Sequence, residues 1–177
     1  MSKLKTPVSD KDHSQGNPEA PVTLVEYGDN ECPHCAAAHL VVQQLQAHFG
    51  EKLRFVFRNF PMSRLHRYAE AAAQTAEFAA SHGKFWPMHD LLLENQPRLS
   101  RSVLEELAQG LDLDTAELAT ALDKYTFERR VHGDFTGGVR SGVNGTPTFF
   151  LNGERYDGIK DYQSLAAAIE TLAQSTL

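Results

Sequence analysis

Sulfur is scarce in this chain: two cysteines and three methionines among 177 residues. Two cysteines close at most one bridge, which excludes a small fold stapled by several disulfides. Long apolar runs are missing too, and no segment approaches the length needed to span a bilayer. Clustered positive charge is absent: 17 Lys and Arg face 23 Asp and Glu for a formal charge of −6, and Arg129-Arg130 is the longest basic run. That pattern argues against nucleic acid as a partner. Residues 1–20 hold no apolar stretch suited to the core of a signal peptide, so a cytoplasmic location is expected, or a periplasmic one if an export leader has been removed. No internal repeat or low-complexity linker divides the chain. With 41% hydrophobic and 23% charged residues, it has the balance and length of one globular domain, expected to be monomeric.

What is present is a chain of alternating periods. "PVTLVEYGD" (21–29) is a short β-branched run closed by Gly28 and Asp29 and predicts a buried strand. From Pro33 to Phe49 the period becomes helical, with Ala37, Leu40, Val41, Gln44, Leu45 and His48 on one stripe and Gly50 as the stop. "KLRFVFRNFP" (52–61) returns to strand chemistry, so the opening is β-α-β with parallel strands. Residues 62 to about 142 read as helical throughout, with capping-box spacing at Ser102–Glu105 and Asp114–Glu117. "TPTFFLNGERY" (146–156) predicts a hairpin turning at Asn152-Gly153, and a last helix begins near Asp161. The fold class is therefore α/β: a β-α-β half and a β-β-α half that share one sheet, with an inserted helical block. The boundaries are a polar lead-in over 1–17, core segments over 18–62 and 143–177, and an insertion over 63–142.

Both cysteines sit in "NECPHC", two residues apart, between the first strand and its helix. Such a pair can be a metal clip, a structural disulfide or a couple kept for chemistry. The position favours chemistry, because a helix N-terminus offers unpaired N–H groups and partial positive charge to a thiolate. Cys32 lies where that field acts best, and Pro33 suits the first helical position. Cys35, one turn further in, is the shielded partner. Cys32 is thus the nucleophile and Cys35 the resolving thiol, with His34 between them as a positive charge that lowers the Cys32 pKa.

"EYGDNECPHC" before a helix, together with "GVNGTPTFF" near the C-terminus, resembles the DsbA family of thioredoxin-fold thiol-disulfide oxidoreductases. The likeness covers about residues 18–175 and includes the helical insertion. It implies exchange of disulfides with protein thiols, no cofactor beyond the Cys32–Cys35 couple, and recycling by a thioredoxin or glutathione system or a membrane oxidase. It also implies that Glu26 is a buried acid trading protons with Cys35, and the shared face of Val22, Leu24 and Glu26 agrees. Pro147, which would otherwise read as a trans residue opening a strand, takes the place of the family's cis-proline. The backbone of Thr146 then pairs with bound polypeptide.

Two rivals remain. Cys32, Cys35 and His39, with His34 or a distant histidine as fourth ligand, would hold zinc, although Pro147 supplies no donor in the facing loop. A glutathione-dependent transferase or isomerase shares the fold but usually replaces the pair with a single Ser or Cys. His66, His82, His89 and His132 are read as solvated or hydrogen-bonded structural residues, and Phe85, Trp86 and Met88 as packing of the insertion.

Overall fold

A computed structural model describes residues 2–176. Five strands form one sheet: β1 (His13–Gln15), β2 (Val22–Gly28), β3 (Leu53–Asn59), β4 (Thr148–Leu151) and β5 (Glu154–Tyr156). Their spatial order is β1-β3-β2-β4-β5. β2 and β3 run parallel, joined by the crossover helix α1 (Pro33–Phe49), and every other pairing is antiparallel. The insertion is α2 (Ala69–Ala80), α3 (Phe85–Glu94), α4 (Arg101–Gly110), α5 (Thr115–Asp123) and α6 (Glu128–Arg140), and α7 (Tyr162–Ser175) closes the chain. This is the α/β order that the alternating periods predict, in the thioredoxin-like form that the resemblance implies.

Side chains alternate across the central strand, and both faces are covered. Val22 and Leu24 join Phe55, Phe57 and Phe149 in the larger core under α1, α7 and the insertion. Val25 and Tyr27 point the other way, to Val56, Phe60, Val143 and Phe150. Asn152 and Gly153 both take positive φ in the β4–β5 turn, the geometry for which Asn-Gly is suited.

Three local expectations shift. The buried stripe of α1 is Cys35, Ala38, His39, Val42, Leu45 and Phe49, while Leu40 is 62% exposed. Leu40 and Val41 had drawn the expected stripe away from this face, whose outer turns carry small or polar residues. The N-cap of α4 is Ser100 rather than Ser102: its backbone is extended and its side chain accepts from the Val103 N–H. Residues 2–17 belong to the packed domain instead of leading into it. β1 pairs with β3, and Leu4 and Val8 pack on the second core. The buried guanidinium of Arg58 donates to Asp12, to the carbonyls of Thr6 and Pro7 and to the Tyr27 hydroxyl. A three-residue strand and a distant arginine leave no periodic mark on the sequence.

Candidate active site

The central strand β2 delivers the chain to the mouth of α1 through Asp29, Asn30 and Glu31. The carbonyl of Asp29 accepts from the Cys32 N–H at 3.1 Å, and its Oδ1 accepts from the Glu31 N–H at 2.8 Å. Its Oδ2 receives the Met62 N–H at 2.9 Å and meets His66 Nδ1 at 2.7 Å. From the insertion, Gln96 Nε2 donates to the carbonyls of Asn30 and Cys32 at 2.8 and 2.9 Å. The loop that carries Cys32 is thereby tied to two separate parts of the fold. Cys32 is itself the N-cap of α1 and makes no side-chain capping bond, so its sulfur stays free for other partners.

Both cysteines are free thiols, 5% and 1% exposed. The Cys32 sulfur lies 3.6 Å from the Thr146 carbonyl, and the Asp29 N–H donates to Cys35 Sγ at 3.4 Å. The Cys32 pKa is lowered to about 5, chiefly because the Cys35 thiol hydrogen-bonds to its sulfur. Burial works against this, and Thr146 and the backbone N–H groups of Cys35 and His34 add to it. Cys35 moves the other way, far above the ordinary thiol range, through the same hydrogen bond, burial and the charge of Glu26. The pair is thus split into one acidic sulfur and one that keeps its proton.

Glu26, 2% exposed on β2, has its pKa raised from 4.5 to about 8 by burial, with the Cys32 charge adding and Lys160 opposing. Pro147 is buried, its bond to Thr146 is cis, and its carbonyl accepts from Lys160 Nζ at 2.7 Å. Cys32, Cys35, Glu26, Thr146 and Pro147 therefore converge on one place. Pro33 and His34 lie exposed on the first turn, and what reaches Cys32 from position 34 is the backbone N–H rather than the ring.

A different histidine reaches the site. Burial is the largest single influence on His66 and opposes its charge, but the hydrogen bond and charge of Asp29 together with Cys32 and Glu31 outweigh it, and its pKa is raised. His66, Gln96 and Lys160 escape the sequence reading because each acts from a distance in the chain that no spacing rule covers, and Asp29, three residues before Cys32, reads only as the close of the first strand. Nor are the ligands of the zinc reading brought together. His39 is buried against His89, ring centroids 5.6 Å apart, and among the described residues the donor set within ligand reach is His39, His89 and Asp90, without a cysteine. His89, expected to be solvated or hydrogen-bonded, is 2% exposed with Nδ1 unpartnered. Burial, with His39 and His13 nearby, lowers its pKa to about 3.

No helix among the described residues is long and apolar enough to cross a membrane. The family model described as thioredoxin matches residues 8–171. The chain is 42% identical to the Na(+)/H(+) antiporter NhaA 1 of Salinispora arenicola over 174 residues, which is 98% of this chain and 26% of that protein. It spans about a quarter of the length of the curated relatives it matches. Among solved structures, BdbD from Bacillus subtilis superposes with a TM-score of 0.88 at 26% identity over 98% of both chains. Wolbachia pipientis alpha-DsbA1 shares the fold, with a TM-score of 0.84 at 18% identity over 98% of this chain and 96% of that one. The chain belongs to the thioredoxin family, and its fold matches that of the DsbA-type structures.

Proposed function

We propose that the protein exchanges disulfides with protein substrates through the Cys32–Cys35 couple, with Cys32 as nucleophile and Cys35 as resolving thiol. The observation that carries this reading is the split in acidity, Cys32 near 5 and Cys35 far above the thiol range, at the N-terminus of α1. In the oxidising direction a substrate thiolate attacks the Cys32 sulfur of the disulfide. The Cys32–Cys35 bond breaks, and Cys35 departs and takes up a proton, for which Glu26 with a pKa of about 8 is the nearby donor. A second substrate thiolate attacks the substrate sulfur of the mixed disulfide and expels the stabilised Cys32 thiolate. The substrate has lost two electrons and the couple has gained them. The redox equivalents need no other carrier than the sulfur pair.

The Thr146 backbone offers a bound polypeptide a short strand partner beside Cys32. The segment that supplies Met62 to Asp29 also walls a cleft of about 420 Å³ lined by Pro61, Met62, Val131, His132 and Phe135, a surface suited to apolar substrate residues. A thiol acidity near 5 falls between the roughly 7 of thioredoxin and roughly 3.5 of DsbA, which sets the couple on the oxidising side of thioredoxin. The surrounding poise then decides direction. A reducing cytoplasm with a thioredoxin or glutathione partner runs it as a reductase, and an oxidising compartment with an oxidase partner as an oxidase. Antiport is named for the longer relative as a whole and is not part of this proposal.

Cys32→Ser should abolish both insulin reduction and dithiol oxidation, while Cys35→Ala should accumulate mixed disulfides through Cys32. Substantial turnover by Cys32→Ser would overturn the assignment.

A further inference from the structure

Behind the sulfur pair, the seam between α1 and α3 holds a second group of donor atoms that the redox reading does not use. Leu93 of α3 forms one buried cluster with the two cysteines. One turn deeper on each helix, Cys35 is followed by His39 and Leu93 is preceded by His89, so the two imidazoles meet in the seam. They are 6% and 2% exposed. His39 Nε2 and His89 Nδ1 are both buried without a hydrogen-bond partner. Leaving such groups unpaired costs about 1–3 kcal/mol each, so each calls for an explanation. Asp90 stands beside them, its Oδ1 3.7 Å from His39 Nε2 and its side chain 42% exposed. One donor atom from each of the three residues lies within 4.8 Å of those from the other two.

We infer that His39, His89 and Asp90 form a binding site for a divalent transition-metal cation of the Zn²⁺ class, separate from the cysteines. Two neutral imidazoles and a carboxylate are borderline donors suited to such an ion, and three protein ligands leave a fourth position open on the solvent side of Asp90. Ligand atoms around a tetrahedral zinc stand roughly 3.3 Å apart for bonds of about 2.0–2.1 Å. His39 Nε2 and Asp90 Oδ1, 3.7 Å apart, stand close to that spacing, and the half-exposed Asp90 has room to adjust. Phe57, Phe85 and Trp86 wall the His89 ring, which restricts it and keeps water from one side. The helices fix His39 and His89 on facing turns, so the site is built on rigid elements.

The test uses oxidised full-length protein, in which the Cys32–Cys35 disulfide offers no thiolate, titrated with Zn²⁺ by calorimetry and with Co²⁺ by visible absorption. One ion should bind per chain, and the cobalt spectrum should show ligand-field bands without sulfur charge transfer. His89→Gln should weaken binding at least about 100-fold. Asp90→Ala, at a half-exposed position that the fold does not need, should weaken it about 10-fold or more. Failure of oxidised protein to bind saturably would overturn the inference. So would binding unchanged in Asp90→Ala, or cobalt binding that appears only on reduction with thiolate charge transfer, which would assign the metal to the cysteines.

Discussion

Glu26 gives the most quantitative test of the buried chemistry. Its folded pKa of about 8 lies above the ordinary 4.5, with burial as the leading cause. The folded protein therefore holds a proton that the unfolded chain releases between those values. Stability falls as pH rises from about 4.5 to about 8, and the full penalty is present above that window. At about 1.4 kcal/mol per tenfold change, keeping this carboxylate ionised in the folded state costs roughly 5 kcal/mol. Glu26→Gln preserves the volume and removes the charge, at a pH-independent cost of about 1–3 kcal/mol for an amide buried without partners. The variant should be less stable than its parent by about 1–3 kcal/mol near pH 4.5 and more stable by about 2–4 kcal/mol at pH 9, with the curves crossing between about pH 5 and 7. Urea unfolding of the oxidised proteins at fixed ionic strength measures this, because the disulfide silences both thiols. The value of about 8 belongs to the free-thiol protein and already includes the Cys32 charge, so the oxidised proteins should show the lower part of that range. A constant offset between parent and variant across the whole range would refute the claim that Glu26 is desolvated and proton-bearing.

Gln96→Ala removes two hydrogen bonds to the loop carbonyls of Asn30 and Cys32 and should lower unfolding free energy by about 1–3 kcal/mol, read by urea denaturation; an unchanged midpoint would show that the clamp is not formed. Arg58→Ala strands Asp12 and the carbonyls of Thr6 and Pro7, and should cost about 3–5 kcal/mol while exposing residues 2–12 to proteolysis. Retained stability with slow cleavage would contradict the role given to that arginine. His66 should titrate at a lower pH in oxidised than in reduced protein, since the disulfide removes the negative Cys32 that raises its pKa; imidazole proton resonances followed against pH report it, and identical midpoints would separate the two groups.

How much of this was legible in the chain follows from the range over which each signal acts. Short-range periodicity exposes β2, α1, β3 and the Asn152-Gly153 hairpin, because a strand or turn is specified by residues that adjoin it. The same reasoning misregisters the buried face of α1, where Leu40 and Val41 outweigh the small and polar residues that face the core. Cys32 and Cys35 stand out because the tetrapeptide itself places them at a helix mouth. Glu26, Thr146 and Pro147 come from family resemblance, and the fold brings them to that mouth. Gln96, His66 and Lys160 were invisible: each reaches the site from another element, through bonds that exist only after the sheet and insertion have docked. His89 reads as solvated or hydrogen-bonded for the same reason, since burial of a histidine depends on the helix packed against it.

The account rests on the acidity of Cys32, and ultraviolet absorbance of the thiolate in reduced protein measures it directly. Cys35 stays protonated far above the ordinary thiol range, so absorbance gained below pH 9 belongs to Cys32. A single rise with its midpoint near pH 5 is the expected result. A midpoint at the ordinary thiol value of 9.0 would contradict the account.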